Sequence, residues 1–345
     1  MSLLQRISKY VLEKIAFQSV LKIQLDITAK CNLSCKHCYH SKKDSSREEL
    51  NIHQWEYIYN RYCLLLKKLQ LAPVVYLCGG EPLASDLLFP IIEMIHKKHT
   101  QVSIGLLTNG TLITEELLDK LLKFKPTFQI SLDGADELVH DSIRGDGSFC
   151  DAENGIKLAV KKGFSVSIQA TLSRFNSHQI ESYFRLAKEL NVDSMNFTRF
   201  VPTGVGKASF EGESSIELLR DDLRQVYDNI IKMSLMYKVK TNTTSPLFAP
   251  FGKGFGNYNN FGYQGLVVDE KGDLKVSSRS EYRLGNCLEE NLEDLFLNHP
   301  IMKKLRLADI EGCGKCSYFQ RCGGDRNISF AHYGSFFRKD PGCWL

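Results

Sequence analysis

The sequence lacks the features that mark membrane and secreted proteins. No run of apolar residues approaches the roughly 20 that a membrane-spanning helix needs. The segment from Leu3 to Lys14 carries charges throughout, which predicts an amphipathic helix over residues 1–20 and not the apolar core of a secretory signal. The 11 cysteines are an odd number, which argues against a complete set of disulfides. We therefore expect reduced cysteines and a cytoplasmic protein.

An excess of charge of one sign is also missing. The chain has 44 basic and 40 acidic residues, and its net charge of +4 is too weak to predict a nucleic-acid or membrane-surface partner. It contains no internal repeat and no low-complexity tract. Its 345 residues, 43% of them hydrophobic, are enough for one large domain and a smaller one.

Three cysteines stand close together, with three and then two residues between them: Cys31, Cys35 and Cys38. A [4Fe–4S] cluster needs four ligands, usually thiolates, so three cysteines leave one iron open to a small molecule. Zinc is the alternative, with His37 or His40 as the fourth ligand.

Short β-rich runs alternate with helical patterns between residues 21 and about 200. This alternation predicts an α/β fold, a partial (β/α)6 TIM-like barrel over residues 21–240 with a parallel sheet and outer helices. The predicted strands are 21–27, 74–78, 102–107, 127–132, 164–171 and 194–200. The predicted helices are 52–70, 86–98, 114–123, 151–162, 177–190 and 214–236.

The residues with functional chemistry follow these strands, and in such barrels the site lies at the carboxyl ends of the strands. The three cysteines follow the first strand, Gly79-Gly80-Glu81-Pro82 the second, and Thr108-Asn109-Gly110 the third. Ser131-Leu132-Asp133-Gly134 closes the fourth, and a turn that begins at Arg199 follows the sixth.

The character of the chain changes after residue 240, which predicts a small, cysteine-rich α+β domain over 241–345. A glycine-rich and aromatic loop, 251–263, precedes a predicted hairpin at 266–268 and 274–276 and a short helix at 291–297. The loop is either an ordinary surface loop or the lining of a substrate pocket. Its aromatic residues are Phe251, Phe255, Tyr258, Phe261 and Tyr263.

Together these motifs resemble the radical S-adenosylmethionine (SAM) superfamily, and in particular its members with a C-terminal SPASM domain. The resemblance covers nearly the whole chain. Its motifs are the three spaced cysteines, the Gly79–Pro82 turn, a signature between Ser131 and Phe149, and the tail cysteines Cys313, Cys316, Cys322 and Cys343.

The resemblance implies a mechanism in which SAM binds the open iron and an electron from the cluster splits its sulfonium C–S bond. The resulting 5′-deoxyadenosyl radical abstracts hydrogen from the substrate, while the protein supplies orientation. The residues expected to bind the cofactor are Gly79, Gly80, Glu81, Pro82, Thr108, Asn109, Ser131, Asp133, Arg144 and Arg199. For Arg144 the alternative is a structural ion pair near His140 and Asp141. Whether Arg199 contacts SAM is equally open.

The four tail cysteines would give a [4Fe–4S] cluster full coordination, and they would also suffice for zinc. The SPASM resemblance favours iron–sulfur. It also implies a second auxiliary cluster, but the segments 261–265, 276–278 and 323–326 contain no cysteine. We therefore expect one auxiliary cluster, and about eight irons per chain in all.

Without a substrate-proximal cluster, the product radical has no nearby electron acceptor. This favours a redox-neutral reaction such as epimerisation. Such a reaction needs a hydrogen donor, for which Cys78 and Cys287 are the candidates and simple packing is the alternative.

Two functions remain open for the predicted radical SAM enzyme, which is of the oxidoreductase or epimerase type. The first is a maturase that cross-links, epimerises or otherwise modifies a ribosomally made peptide. The second is a small-molecule epimerase or dehydrogenase, or an enzyme of tetrapyrrole or other cofactor maturation. A non-catalytic cluster protein is disfavoured, because the three cysteines and the glycine turn are intact.

The predicted partners are the substrate and an electron donor of the flavodoxin or ferredoxin type. Only about 20 residues precede the first strand, fewer than the roughly 80 of a leader-recognition domain. A peptide substrate would then need a separate leader-recognition protein or contacts through the loop 251–263.

Overall fold

The computed structural model describes residues 19–40, 48–210, 215–256, 262–263, 265–307 and 309–345. Most of the predicted N-terminal helix, and Tyr258 and Phe261 of the aromatic loop, lie outside these residues. Over the described ranges, no helix is long and apolar enough to cross a membrane.

The chain divides into two compact units. Unit 1 contains residues 1–30, 44–105 and 259–309, and unit 2 contains residues 31–43, 106–258 and 310–345. The division falls inside strand β3, Ser103–Thr108. The predicted domain boundaries at residues 20 and 240 stay predictions.

Unit 1 is built around strand β1, Val20–Asp26, which pairs in parallel with β2, Ala72–Cys78, and with β7, Gly265–Val268. Strands β8, Asp273–Lys275, and β9, Arg283–Asn286, extend β7 in antiparallel fashion. The helices are α1, Ile52–Leu69; α2, Leu88–Lys98; α9, Leu292–Asn298; and α10, Pro300–Leu307.

The two faces of β1 differ because alternate side chains of a strand point to opposite sides. Leu21, Ile23 and Leu25 are fully buried and form the apolar face. The opposite face carries Gln24 and Asp26, and the register places Asp26 beside Cys78 at the carboxyl ends of β1 and β2. A polar face at this end of a parallel sheet is where such folds place ligands.

Unit 2 contains the parallel strands β4, Thr127–Ser131; β5, Val166–Leu172; and β6, Ser194–Arg199. Its helices are α3, Glu115–Leu121; α4, Glu137–Arg144; α5, Ser148–Lys161; α6, Ile180–Glu189; α7, Gly204–Ser209; α8, Arg220–Tyr237; and α11, Arg326–Tyr333. The buried face of β5 is apolar, with Ile168, Ala170 and Leu172 in the core.

The predicted α/β fold with a parallel sheet is confirmed, and the six predicted strands are observed within one or two residues. Among the α-helices and strands of the described residues, five were not predicted: α4, α7, α10, α11 and β9. Each is a single short segment of four to eight residues. Helix α8 begins at Arg220, six residues later than predicted.

Candidate metal centres and cofactor site

The loop that carries Cys31, Cys35 and Cys38 belongs to unit 2 and is tied down by its backbone. The amide of Lys36 donates to the carbonyl of Ile143 at 3.0 Å, and the amide of Gly206 donates to the carbonyl of Cys38 at 2.8 Å. Cys31 is exposed, and Cys35 and Cys38 are half-buried. Helices α4 and α7, neither of which was predicted, therefore hold this loop in place.

Asp133 is the centre of the polar network beneath the loop. One of its carboxylate oxygens, Oδ2, accepts from Arg144 Nε at 2.6 Å and from His37 Nε2 at 2.8 Å. The other, Oδ1, accepts from the amide of Thr171 at 2.6 Å. Since Asp133 is fully buried, it joins the cysteine loop, the end of α4 and strand β5 from inside the unit.

The network fixes the charges of its members. Burial opposes ionisation of Asp133, but Arg144 and His37 outweigh it and lower the pKa of the carboxyl well below its usual range. Burial likewise disfavours the charged Arg144, but Asp133 and then Cys35 hold its pKa above the usual value. His140, whose Nδ1 accepts from the amide of Asp133, is kept neutral because burial, and then Arg144, lower its pKa to about 4.

Arg144 also faces the cysteine loop, with Nη1 3.9 Å from Cys35 Sγ. Its ion-pair partner is Asp133, whereas the ion-pair alternative had placed it near His140 and Asp141. The carboxylate of Asp141 instead accepts from the amides of Gly147 and Phe149. Burial raises the pKa of Cys35 to about 11, and the positive Arg144 opposes that rise. A guanidinium so placed would favour the thiolate that iron requires.

A ring of three polar side chains joins the cysteine loop to the turn after β3. Asn32 Nδ2 donates to Thr111 Oγ1 at 2.8 Å, Thr111 Oγ1 donates to Asn109 Oδ1 at 2.8 Å, and Asn109 Nδ2 donates to Asn32 Oδ1 at 2.9 Å. Thr108 lies beneath the ring, and its hydroxyl accepts from the amide of Gly110. Asn109, a predicted cofactor contact, thus also positions the residue that follows Cys31.

The Gly79-Gly80-Glu81 turn lies in unit 1, against the backbone that directly precedes Cys31 in the chain. The amide of Gly80 donates to Thr28 O and the amide of Glu81 to Lys30 O, both at 2.8 Å. A Cβ would lie 2.3 Å from Thr28 O at Gly79 and 2.3 Å from Lys30 O at Gly80. Glycine is therefore required for this close approach, apart from any need to leave room for SAM.

The other two residues of the turn are also buried. The side chain of Glu81 accepts from the amide of Leu83 at 3.0 Å, and Pro82 begins a short 3₁₀ turn. Ser131, in unit 2, is half-buried at the end of β4. The predicted contacts of these residues with SAM stay predictions.

Arg199 has a different setting from the other predicted cofactor contacts. It is the last residue of β6, it is only 5% exposed, and its Nη1 lies 2.8 Å from Asp340 Oδ2 in the C-terminal tail. The structure thus gives Arg199 an ion-pair partner of its own, and a role for it in binding SAM stays a prediction.

The two predicted hydrogen donors, both in unit 1, lie in different surroundings. Cys78 ends β2 beside Asp26 on the polar face of the sheet. Cys287 is fully buried after β9, its amide donates to Gly272 O, and burial, then Asp269, raises the pKa of its thiol to about 12. These surroundings favour packing for Cys287.

The four tail cysteines come together in unit 2. Cys313, Cys316, Cys322 and Cys343 all line one cavity of about 400 Å³, along with Asp340 and Lys339. Successive tight turns bring the first three together: the amide of Cys316 donates to Cys313 O, and that of Cys322 to Tyr318 O. This donor set fits the [4Fe–4S] cluster that the resemblance implies.

Among the described residues, no three His, Cys, Asp or Glu side chains converge closely enough to hold a single metal ion. A zinc site needs its ligands at about 2.0–2.3 Å from one ion. In a [4Fe–4S] cluster each cysteine binds its own iron, so a cluster does not need three of these side chains on one ion.

Three residues of these sites were not predicted from the sequence: Asp26, Asn32 and Thr111. Asp26 is fully buried, its Oδ1 accepts from Gln24 Nε2, and no hydrogen-bond donor reaches its Oδ2 within the described chain. A carboxyl group at the end of a strand whose other face is apolar was the signal that could have found it. Nothing in the local sequence marks the pairing of Asn32 with Thr111.

Comparison with known proteins agrees with this arrangement. The profile of the radical SAM superfamily matches residues 25–187. The AdoMet-dependent heme synthase of Methanosarcina barkeri is 27% identical over 93% of this chain and 95% of that protein. The mycofactocin maturase MftC of Mycobacterium tuberculosis is 27% identical over 87% of this chain and 76% of that protein.

Solved structures share the fold. The structure of anSMEcpe with bound AdoMet has a TM-score of 0.75 at 22% identity and covers 94% of both chains. Streptococcus suis SuiB bound to its precursor peptide SuiA has a TM-score of 0.73 at 17% identity, over 99% of this chain and 80% of that one. The chain therefore contains a radical SAM domain, of a kind that uses SAM and a [4Fe–4S] cluster, and has homologues in the SPASM/twitch maturase family.

Proposed function

We propose that this enzyme modifies a ribosomally synthesised peptide, by cross-linking, epimerisation or another change to a side chain. The observation that carries the proposal is the similarity to the maturase MftC over 87% of the chain. The fold shared with SuiB, whose structure includes a precursor peptide, is consistent with it.

The residues of unit 2 have defined tasks in this proposal. Cys31, Cys35 and Cys38 hold the cluster, and Asp133 holds Arg144 beside Cys35. When bound, the cluster supplies the electron that cleaves SAM and starts hydrogen abstraction from the substrate. The Asn109 ring keeps the start of the cysteine loop in register with the turn after β3.

In unit 1, the glycine turn, Glu81 and Pro82 are the proposed cofactor contacts. Cys78 is the better placed of the two thiols to return a hydrogen atom, because it lies at the carboxyl end of β2 on the polar face of the sheet. Asp26, beside it, has a carboxylate oxygen that can accept from an N–H or O–H group of the substrate. The proposed electron donor is of the flavodoxin or ferredoxin type.

The test is the change in mass of the peptide after turnover in deuterated water. Reconstituted enzyme, SAM and reductant are incubated in deuterated water with each short peptide that the neighbouring genes are found to encode. A gain of one mass unit on the peptide indicates epimerisation, and a loss of two hydrogens indicates oxidation or cross-linking. Production of 5′-deoxyadenosine that no peptide stimulates, with the peptide mass unchanged, would refute the proposal.

Cofactor maturation is the second candidate, because the heme synthase of Methanosarcina barkeri is similar over 93% of this chain. The same assay separates the two functions when an iron porphyrin replaces the peptide. Turnover that depends on the porphyrin, with the peptide inert, would assign the enzyme to tetrapyrrole chemistry.

A further inference from the structure

A buried ion pair connects strand β6 to the cysteine-rich tail. Arg199 and Asp340 are 5% and 1% exposed, and Arg199 Nη1 lies 2.8 Å from Asp340 Oδ2. The two residues are 141 positions apart in sequence. Because taking two charges out of water is costly, a buried ion pair is weak evidence for added stability. Its presence here therefore suggests a role other than stabilisation.

The carboxylate of Asp340 also binds the two chain segments that carry the last cavity cysteines. Its Oδ2 accepts from the amide of Asp325 at 2.9 Å, three residues after Cys322. Its Oδ1 accepts from the amide of Gly342 at 2.8 Å, next to Cys343. One side chain therefore fixes the separation of the backbones on either side of the cavity.

The fit around this pair is close. A Cβ at Gly342 would lie 2.3 Å from Arg199 Nη2, and a Cβ at Gly324 would lie 2.9 Å from the Cβ of Asp340. The carbonyl of Gly342 also accepts from the amide of Arg220, at the start of α8. The guanidinium thus occupies a space that only glycine leaves open, and it holds the carboxylate from the side of β6.

The residue after Cys343 is anchored separately. Trp344 meets Tyr227 edge-on at 6.3 Å and Phe251 at 5.9 Å between ring centroids, and Tyr227 stacks on Phe248 at 3.9 Å. Cys343 is therefore held between an aromatic cluster on one side and Asp340 on the other. The amide of Cys343 donates to the carbonyl of Asp340 at 3.0 Å, which completes the turn.

We propose that Arg199 and Asp340 are positioning residues for the auxiliary cluster: the ion pair sets the spacing at which Cys322 and Cys343 meet it. The inference rests on the proposed auxiliary cluster, not on the identity of the substrate. It assigns Arg199 to the tail centre, whereas the sequence left open whether this residue contacts SAM.

The test compares Asp340→Asn and Arg199→Gln with Arg338→Gln, which breaks an exposed ion pair with Glu311 on the same tail segment. Iron is counted in anaerobically reconstituted protein, and the reduced clusters are examined by electron paramagnetic resonance. We expect about eight irons in the wild type and Arg338→Gln, and about four in Asp340→Asn, with the SAM-cluster signal retained. Cys343→Ala provides the reference spectrum for loss of the tail cluster.

Two further variants guard against simple misfolding. The double variant Arg199→Gln/Asp340→Asn leaves no unpaired buried charge, and circular dichroism reports whether it folds. Arg199→Lys keeps the charge but loses the planar fork, so we expect a retained cluster with an altered resonance signal. A folded double variant with about eight irons and a wild-type signal would overturn the proposal.

The wild type alone supplies a further decisive outcome. About four irons with one zinc per chain would overturn both the auxiliary iron–sulfur cluster and its positioning. Failure of the peptide assay with about eight irons present would count against the proposed function only.

Discussion

Replacing Gly80 with alanine tests whether the glycine turn is required by the protein backbone itself. The new Cβ would lie 2.3 Å from Lys30 O and 2.7 Å from Ala29 O, against an ordinary contact of 3.4 Å or more. The two strand-end segments must separate by about 1 Å, an overpacking that costs roughly 1–3 kcal/mol. The bonds from Gly80 to Thr28 and from Glu81 to Lys30 would stretch, each costing about 1 kcal/mol.

We therefore expect the free energy of unfolding to fall by about 3–5 kcal/mol. Because a displacement of about 1 Å at a positioning element can cost a hundredfold in rate, we also expect SAM cleavage to fall by roughly ten- to a hundredfold. Denaturant titration measures the first effect, and the rate of 5′-deoxyadenosine formation measures the second.

Gly265→Ala is the matched control in the same unit. Apart from its chain neighbours, no described residue has an atom within 4 Å of the position that its new methyl carbon would take, and its φ is outside the left-handed region. It should leave both quantities within error of the wild type. Unchanged stability and SAM cleavage in Gly80→Ala would refute the reasoning, because a contact of 2.3 Å cannot be absorbed without movement of the backbone.

Three further predictions concern the buried polar groups. His140 is neutral in the fold with a pKa of about 4, below its ordinary 6.5, so the unfolded chain takes up the proton first as the pH falls. The contribution of neutral His140 to the free energy of unfolding is complete above pH 6.5. It should decline below that pH by about 1.4 kcal/mol per pH unit, or by roughly 3 kcal/mol at pH 4, in denaturant titrations of apo-protein. A His140→Gln variant with the same pH dependence would contradict this. Asp26→Leu should raise the free energy of unfolding by about 1 kcal/mol, because it replaces a buried carboxyl oxygen that no described donor reaches with apolar atoms. A lower melting temperature would contradict this. Asn109→Ala should weaken SAM binding, measured by calorimetry, about tenfold and lower the free energy of unfolding by about 1–2 kcal/mol. Asn109→Asp keeps the acceptor for Thr111, so its losses of SAM affinity and of stability should both be smaller.

The strands could be predicted from the sequence because their apolar alternation is local. The same holds for α1, whose capping box at Asn51 and Gln54 marks its start. Helix α4 was missed because Glu137–Arg144 is short and polar. Its only local signal is the side chain of Asp136, which accepts from the amide of Val139. Short helices depend on packing that no local pattern reports.

The candidate site, too, has parts that the sequence predicts and parts that it does not. The spacing of Cys31, Cys35 and Cys38 and the glycine turn are visible in the sequence because the chemistry constrains neighbouring positions. The ion-pair partners of the two arginines are not visible in the sequence. Asp133 is 11 residues from Arg144, and Asp340 is 141 residues from Arg199. Their pairing is set by the topology of the fold, so the sequence left both arginines open.

The hydrogen bonds of Asp133 carry a consequence for how the metal centre is assembled. The carboxylate joins three parts of unit 2 through contacts that need only protein atoms. The conformational entropy of the cysteine loop is therefore lost when the chain folds, before any iron arrives. In zinc fingers, by contrast, metal binding itself drives folding. We expect iron to enter a scaffold that has already formed, so its affinity is not reduced by the work of ordering the loop.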